Sequence, residues 1–402
     1  MTYKQTIEFL FTKLPMYQRK GEAAYKADMG NIIKISECLG NPYLNFKSIH
    51  IAGTNGKGST AHMLASILQE AKLKVGLYTS PHLKDFRERI KINGKVIEKK
   101  YITNFISKNK NLFEKSTVSF FEMTVAMAFN YFSDKNVDIA IIETGLGGRL
   151  DSTNIINPEI SIFTNISYDH SNLLGLDINS IAKEKAGIIK KETPVIIGRK
   201  QKETTLIFNK IAKEKNAEIF YAKKTQYKSD LKGVYQKENI DTCICAIKLL
   251  QKKGWEINNQ HISFGLMHCI SNTNLNGRWQ ILKNKPLTIC DTAHNEDGIK
   301  NICKQIKLLE YQNLHFILGT VKDKDLNRIL IHLPKDAQYY FCKPNILRGL
   351  NENLLKKEAE KYNLKGEEYR NVQYALKDAK TNANKEDLIF IGGSTFIVAE
   401  VI

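Results

Sequence analysis

Residues 48–60 read Ser-Ile-His-Ile-Ala-Gly-Thr-Asn-Gly-Lys-Gly-Ser-Thr, a short apolar run that enters a glycine-rich loop and continues into helix-forming residues. In the stretch Gly53-Thr54-Asn55-Gly56-Lys57-Gly58-Ser59, glycines free backbone N–H groups to wrap a phosphate chain. Lys57 can neutralise its outer charges, and Ser59 can offer a hydroxyl to Mg²⁺. Gly58 separates the lysine from the serine, a departure from strict G-x-x-x-x-G-K-[ST]. Dinucleotide-binding turns need G-x-G-x-x-G and no lysine, so the strand–loop–helix context favours a triphosphate.

Further segments carry chemistry at the ends of apolar runs. Ser80, in Thr79-Ser80-Pro81-His82-Leu83, could ligate the same metal or simply stabilise a Ser-Pro turn. Glu143 ends a buried run and opens into Thr144-Gly145-Leu146-Gly147-Gly148-Arg149, the position from which a strand-end carboxylate holds Mg²⁺. His170, in Thr164-Asn165-Ile166-Ser167-Tyr168-Asp169-His170, is a metal ligand or a hydrogen-bonded loop histidine; Mg²⁺ prefers oxygen. Lys183 and Lys185, two apart, cannot share a helix face, and on spacing alone both read as solvated. Arg278 offers a guanidinium fork to an outer phosphate, and Asp291 a carboxylate to a ribose. The Asn239 amide could pair with an adenine edge. Each of these three also fits an ordinary surface or capping position.

These residues need elements to hold them. Strands are expected at Ser48–Gly53, Val75–Thr79, Asp138–Glu143, Glu159–Thr164 and Pro194–Gly198. Helices are expected at Ser59–Ala71, Phe121–Phe132, Ile178–Lys190 and Glu238–Lys252. After the polar stretch Ser271–Gly277 a second series follows. Its strands are Pro286–Asp291, Leu314–Gly319, Gln338–Cys342 and Asp387–Gly392. Its helices lie near Asn295–Leu309, Asp325–Leu333, Asn351–Lys361 and Val372–Ala383. The fold class is therefore α/β. A P-loop-containing, mostly parallel, doubly wound N-terminal domain spans 1–276, and a smaller Rossmann-like α/β domain spans 277–402.

The chain has 402 residues, of which 42% are hydrophobic, enough for two or three ordinary cores. No run of about 18 uncharged apolar residues suggests a membrane span. Met1–Glu8 carries a glutamate where a secretory leader would need apolar residues. Seven scattered cysteines read as reduced thiols of a cytoplasmic protein. The net charge of +18 fits nucleic-acid binding, an acidic substrate, or the lysine-rich composition of an AT-rich genome. The charges are spread along the chain without a basic block, which favours the last.

Taken together, these motifs resemble folylpolyglutamate synthase, including the bifunctional dihydrofolate synthase form, within the Mur ligase superfamily. The resemblance runs from the phosphate loop through Phe86–Gly94, Glu143–Asn154, Glu184–Ile188 and Asp323–Asp325 to Gly392–Val401. The glycine after Lys57 is typical of the folate branch.

The resemblance implies an ATP-dependent ligase that adds L-glutamate to a folate, and to 7,8-dihydropteroate, through an acyl phosphate. It implies ATP contacts at Gly53, Thr54, Asn55, Gly56, Lys57, Gly58, Ser59, Asn239, Arg278, Asp291, His294 and Asn295. It implies two Mg²⁺ sites drawing on Ser59, Ser80, Glu143, His170 and a carbamylated Lys185, with Lys57, His170 and Lys185 catalytic. Leu150, Ser152, Ser119 and Phe120, with the region around Lys26–Met29, would line the folate or pteroate site. The expected partners are small molecules, with no nucleic acid and no membrane, and the chain is expected to act as a monomer. Three alternatives stand beside this. A monofunctional folylpolyglutamate synthase would share everything except the pteroate step. A peptidoglycan-precursor ligase is disfavoured by Gly-Lys-Gly-Ser and Thr-Ser-Pro-His. A basic P-loop ATPase acting on nucleic acid lacks an aromatic–basic platform.

Overall fold

The computed structural model describes residues 1–14, 28–115 and 118–402. These form two compact units, Met1–Asp230 with Gln236–Asn274, and Leu231–Tyr235 with Leu275–Ile402. The second unit thus takes in a five-residue segment well upstream of the expected boundary at 276. Gln305 holds that segment: its Oε1 accepts from Val234 N at 2.7 Å and its Nε2 donates to the Lys232 carbonyl at 2.9 Å.

Among the described residues, the first unit has eight strands: β1 Lys47–Ala52, β2 Val75–Tyr78, β3 Ile90–Ile92, β4 Lys95–Val96, β5 Ile139–Glu143, β6 Ile160–Phe163, β7 Val195–Ile197 and β8 Ile219–Tyr221. Their order is β4-β3-β2-β5-β1-β6-β7-β8, antiparallel only at β3 and β4. The central strands β5, β1 and β6 are buried at every residue but Lys47, as strands covered on both faces are, with Ser48, His50, Glu143 and Ser161 the polar residues among Ile, Ala and Phe. Their register sets Ile51 opposite Glu143 and Ala52 opposite Phe163, while Tyr78 of β2 lies opposite Ile142. The loops carrying Gly53, Ser80, Glu143 and Thr164 therefore leave one edge of the sheet together.

The Lys57–Glu70 helix follows β1 and is buried from Ser59 to Leu68. The Asn259–Met267 helix covers it closely. A Cβ on Gly265 would lie 2.5 Å from Ile67 Cα, and Ser66 Oγ donates to the Gly265 carbonyl at 2.6 Å. On the other face, the Phe120–Asp134 helix brings Phe129 and Phe132 onto Phe46. The helix expected to run to Lys190 stops at Ala186: Ile188 N and Ile189 N turn to the carbonyls three residues back, at 3.3 and 3.0 Å, and Gly187 packs where a Cβ would lie 2.4 Å from Arg149 Cα.

The second unit has β9 Gln280–Asn284, β10 Leu287–Cys290, β11 Leu314–Leu318, β12 Gln338–Cys342, β13 Lys365–Tyr369 and β14 Leu388–Gly392, in the order β13-β12-β11-β14-β10-β9. All pair in parallel except β9 with β10. The edge strands β9 and β13 were not expected; they are polar and largely exposed, so they lack the apolar run that marks β10, β11, β12 and β14. Trp279, Phe316, Tyr339 and Phe390 pack in its core. No helix among the described residues is long and apolar enough to cross a membrane.

At the N-terminal ends of β11 and β14, Asp387 is buried and accepts from Asn313 N at 2.9 Å, Asn313 Nδ2 at 3.0 Å and Asn384 N at 2.7 Å, with His315 Nε2 at 3.3 Å. Burial alone would raise its carboxyl; the bonds from Asn384, Asn313 and His315 outweigh burial and hold it below the ordinary value. A depressed carboxyl stabilises the fold above the unfolded value of about 3.9, and that contribution disappears as pH falls through the folded value. Urea midpoints read by Trp279 fluorescence in a Trp255→Phe background should fall between pH 5 and 3. Asp387→Asn should lower the neutral midpoint and flatten this acid limb; an unchanged limb would remove Asp387 as its source.

Candidate active site

β1 ends at Ala52 and the helix begins at Lys57, with Gly56 as its N-cap at φ 84°. Two glycines are required by contact as well as by conformation. A Cβ on Gly53 (φ 144°) would meet Thr164 Oγ1 at 2.0 Å, and one on Gly56 would meet Asn239 Oδ1 at 2.2 Å. The segment after β6 holds the loop from the side. Thr54 N donates to the Asn165 carbonyl at 2.8 Å, Asn55 N to Asn165 Oδ1 at 3.0 Å, and Thr164 Oγ1 to the Asn55 carbonyl at 2.6 Å. Ser167 N donates to Thr54 Oγ1 at 3.0 Å. Asn165 lay within a motif noted in the sequence but was not singled out; an amide-bearing residue just past a strand end was its only signal.

Lys57 Nζ donates to the carbonyls of Gly53 and Thr54, each at 3.1 Å. Lys185 Nζ reaches the same Gly53 carbonyl at 2.9 Å. The reading of both helix lysines as solvated is therefore corrected for one of them: Lys183 is exposed, whereas Lys185 is buried. Its helix docks tightly on the glycine loop after β5. Arg149 N donates to the Glu184 carbonyl at 2.7 Å, and a Cβ on Gly148 would lie 2.5 Å from the Lys185 carbonyl oxygen. Burial, then the nearby Lys57 charge, pushes the Lys185 amine down to about 7, against the pull of Asp169 and Asp151.

Ser59 is buried, and its hydroxyl accepts from Gln236 Nε2 at 3.2 Å; Asn239 Nδ2 donates to Gln236 Oε1 at 2.8 Å. Asn239 thus sits beside Gly56, linked to Ser59 through Gln236. Glu143 is buried, and its Oε2 accepts from Ser80 N at 3.0 Å, so two of the expected metal-side residues meet directly. Asp151, not singled out from the sequence, folds the intervening loop: Oδ2 accepts from Gly145 N and Leu146 N, both at 2.8 Å, and Oδ1 from Thr153 N at 3.0 Å. His170 has φ 52° and caps the short Ser171–Leu174 helix, in the segment that also holds the phosphate loop.

The residues expected to line the folate site are more dispersed in role. Ser152 is buried at the start of a 3₁₀ turn, and Leu150 is half-buried beside it. Ser119 caps the Phe120–Asp134 helix, its Oγ accepting from Glu122 N at 3.2 Å, and Phe120 is buried. Asp28 and Met29 precede the Gly30–Cys38 helix; Lys26 and Ala27 lie outside the described residues.

In the second unit, Asp291 follows β10 and is buried. Its Oδ2 accepts from Trp279 N at 2.7 Å and from the Tyr235 hydroxyl, and its Oδ1 from Ala293 N at 2.8 Å. Burial raises its carboxyl in spite of these donors. Arg278 Nη1 donates to Thr292 Oγ1. His294 Nδ1 lies 2.9 Å from the Thr292 carbonyl, and Asn295 caps the Glu296–Ile306 helix, its Oδ1 accepting from Gly298 N at 3.0 Å.

Among the described residues no group of three or more His, Cys, Asp or Glu is assembled for a metal. The donors at hand are the Glu143 carboxylate and the Ser59 and Ser80 hydroxyls. This partial, hard-oxygen set suits Mg²⁺, which keeps waters and takes substrate phosphates as its remaining ligands.

The Mur ligase middle domain matches residues 51–273, and the Mur ligase glutamate ligase domain matches 277–395. A dihydrofolate synthase/folylpolyglutamate synthase of Buchnera aphidicola subsp. Schizaphis graminum is 32% identical over 98% of this chain and 96% of its own. The chain belongs to the folylpolyglutamate synthase/dihydrofolate synthase family of Mur ligases. A Haloferax volcanii protein named "Probable bifunctional folylpolyglutamate synthase/dihydropteroate synthase" is 29% identical over the whole of this chain, which spans half of that protein's length. The structure of Escherichia coli FolC in complex with DHPP and ADP matches at a TM-score of 0.88 and 27% identity, over 100% of this chain and 97% of that one. The fold of this family member is thus shared along its full length.

Gly56→Ala tests the phosphate loop. It adds left-handed strain of about 1–2 kcal/mol and a collision with Asn239 Oδ1. Calorimetric titration with a non-hydrolysable ATP analogue should show at least a tenfold loss of affinity. Unchanged affinity in Gly56→Ala would take the loop out of the site.

Proposed function

We propose that this chain joins L-glutamate to the carboxylate of a folate, and of dihydropteroate, using ATP. The observation that carries this reading is the cradle at the end of β1. Its lysine and helix-starting N–H groups are held by the segment after β6, and a buried carboxylate ends the neighbouring strand β5, all within one unit. The FolC relative solved with ADP and DHPP supports the same pairing of ligands here.

A substrate carboxylate oxygen attacks the γ-phosphorus, the bond to the β,γ-bridging oxygen breaks, and ADP departs. The glutamate amine then adds to the acyl carbon, and inorganic phosphate leaves with the former carboxylate oxygen. Such transfer is catalysed by positioning and charge neutralisation, with no covalent nucleophile required. The N–H groups of Gly53–Ser59 orient the phosphates, and Lys57 exchanges its backbone acceptors for phosphate oxygens. Ser59, Ser80 and Glu143 would hold Mg²⁺, and Glu143, His170 and Lys185 would hold a second ion. Mg²⁺, when bound, neutralises charge across the β- and γ-phosphates. Arg278 serves a phosphate, Asp291 the ribose with His294 and Asn295 beside it, and Asn239 the base. Leu150, Ser152, Ser119 and Phe120 serve the folate side. The same reading makes the chain a monomer of the cytoplasm, a setting in keeping with its seven unpaired cysteines.

Lys185 acts as a carbamate. Its neutral amine adds to CO₂ and releases one proton, giving an anionic oxygen ligand that faces Lys57. An amine held near 7 is largely neutral above that pH and largely protonated below it. With ¹³CO₂ supplied, a carbamate carbon resonance should grow as pH rises through 7 and be missing from Lys185→Met. Its absence from the unsubstituted chain at pH 8 would reject the modification.

The activity itself is tested by phosphate release from ATP with glutamate plus dihydropteroate, or plus tetrahydrofolate, in separate assays. Lys57→Ala should abolish release with either while keeping its far-ultraviolet circular dichroism. Release that needs neither folate substrate, or that persists in Lys57→Ala, would overturn the reading.

A further inference from the structure

The segment Thr79–Asp85 leaves β2 carrying Ser80, and it is fastened almost residue by residue. Thr79 N donates to the Arg89 carbonyl at 3.1 Å, and Ser80 N to Glu143 Oε2 at 3.0 Å. Glu88 takes the far end, accepting from Leu83 N at 2.7 Å, Lys84 N at 3.0 Å and Asp85 N at 2.8 Å. Between these anchors lies His82, whose Nδ1 accepts from Arg89 Nε at 2.7 Å. Arg89 is only 3% exposed. Its guanidinium carbon lies 5.2 Å from the centre of the Phe120 ring; burial lowers its value, and Tyr78, Glu143 and Glu88 offset that only in part. The His82 ring stands edge-on to Phe11 at 6.0 Å and to Phe86 at 6.4 Å. Because Nδ1 accepts, the ring is neutral with its proton on Nε2, and both burial and Arg89 favour that form.

We propose that His82 and Arg89 are a positioning pair: the Arg89 Nε–H···Nδ1 His82 bond holds the Thr79–Leu83 turn so that Ser80 stays against Glu143, and this sets the affinity of the first unit for its divalent cation. The proposal rests on the reading of Ser80 and Glu143 as ligands. A buried guanidinium N–H must find an acceptor, and here the acceptor is on the turn that carries Ser80. The bond therefore ties the turn to a buried guanidinium whose charge the Glu143 carboxylate favours. Neither His82 nor Arg89 touches the cation in this account.

Two substitutions separate hydrogen bonding from packing. Asn at 82 keeps an acceptor at the position of Nδ1 but loses the ring, whereas Leu fills the space between Phe11 and Phe86 without an acceptor. Free Mn²⁺ is measured by electron paramagnetic resonance in titrations of the full chain with a non-hydrolysable ATP analogue. Hydrogen exchange is followed on the peptide covering 79–85. His82→Leu should weaken Mn²⁺ binding about tenfold and speed exchange at the Ser80 amide, and His82→Asn should stay close to the unsubstituted chain. Arg89→Lys, which keeps the charge and moves the donor, should behave like His82→Leu and serves in its place if that variant does not fold. The reverse order, with Leu tolerated and Asn damaging, makes the role one of packing and overturns the proposal. Glu143→Gln is the control. If it weakens Mn²⁺ binding while His82→Leu and Arg89→Lys do not, positioning fails and the ligand reading stands. If Glu143→Gln changes nothing, the ligand reading falls and the positioning pair with it.

Discussion

Two lysine ammonium groups converge on one backbone oxygen, the carbonyl of Gly53: Lys57 from one turn along the same chain, and Lys185 from a helix 132 residues away. Like charges in a buried place repel, and a protein built for stability alone would separate them. Here the repulsion is eased from two directions. Asp169 and Asp151 lend opposite charge, and Lys185 yields part of its own by a depressed amine value. In the unmodified chain the Lys57 charge remains at the end of β1, beside helix-starting N–H groups that have no helical partner. Such an arrangement would be stabilised by an anion, as the proposed function requires, and the surrounding loops keep it in place.

The arrangement depends on strand register. Because β2, β5, β1 and β6 run parallel and end level, four loops emerge side by side, and short polar side chains suffice to lock them together. Asn165 and Thr164 lock the phosphate loop to the segment after β6; Ser80 N locks the segment after β2 to Glu143; Asp151 folds the glycine loop back on itself. None of these contacts is long-range in the sheet, yet each joins residues from 6 to 110 positions apart. Slipping any one strand by a residue would turn its side chains to the other face and dissolve the set.

That dependence explains what could be read in advance. Strands buried on both faces announce themselves as apolar runs, so β1, β5, β6, β11 and β14 were expected close to where they lie. Edge strands bury little, and β9 and β13, with burial confined to scattered positions, leave no such trace. Motif residues at strand ends were legible for the same reason: the strand fixes their place. The partners that hold them were not: Asn165 and Gln236 act on residues more than 100 positions away and Asp151 within its own loop, and a single Asn, Gln or Asp looks alike in sequence whether it anchors a site or faces water. The transfer of Leu231–Tyr235 to the second unit was equally silent, since it rests on Gln305 and a tyrosine hydroxyl rather than on any change in composition.

Lys183 and Lys185 show where the limit lies. Helical spacing states correctly that they cannot share a face, but periodicity cannot say which face is covered, and with Glu184 between them both look solvated. The deciding information is in glycines elsewhere. Gly148 and Gly187 have no side chain where one would strike the Lys185 carbonyl or Arg149, so the loop after β5 and the end of this helix approach to backbone contact. That approach covers the side of the helix bearing Lys185 and leaves Lys183 in solvent. A substitution at either glycine would push the helix off the loop and return Lys185 toward water, where its amine would regain its full charge and its ordinary value. The chemistry of this lysine is thus set less by its own neighbours in sequence than by two missing side chains that let it be buried.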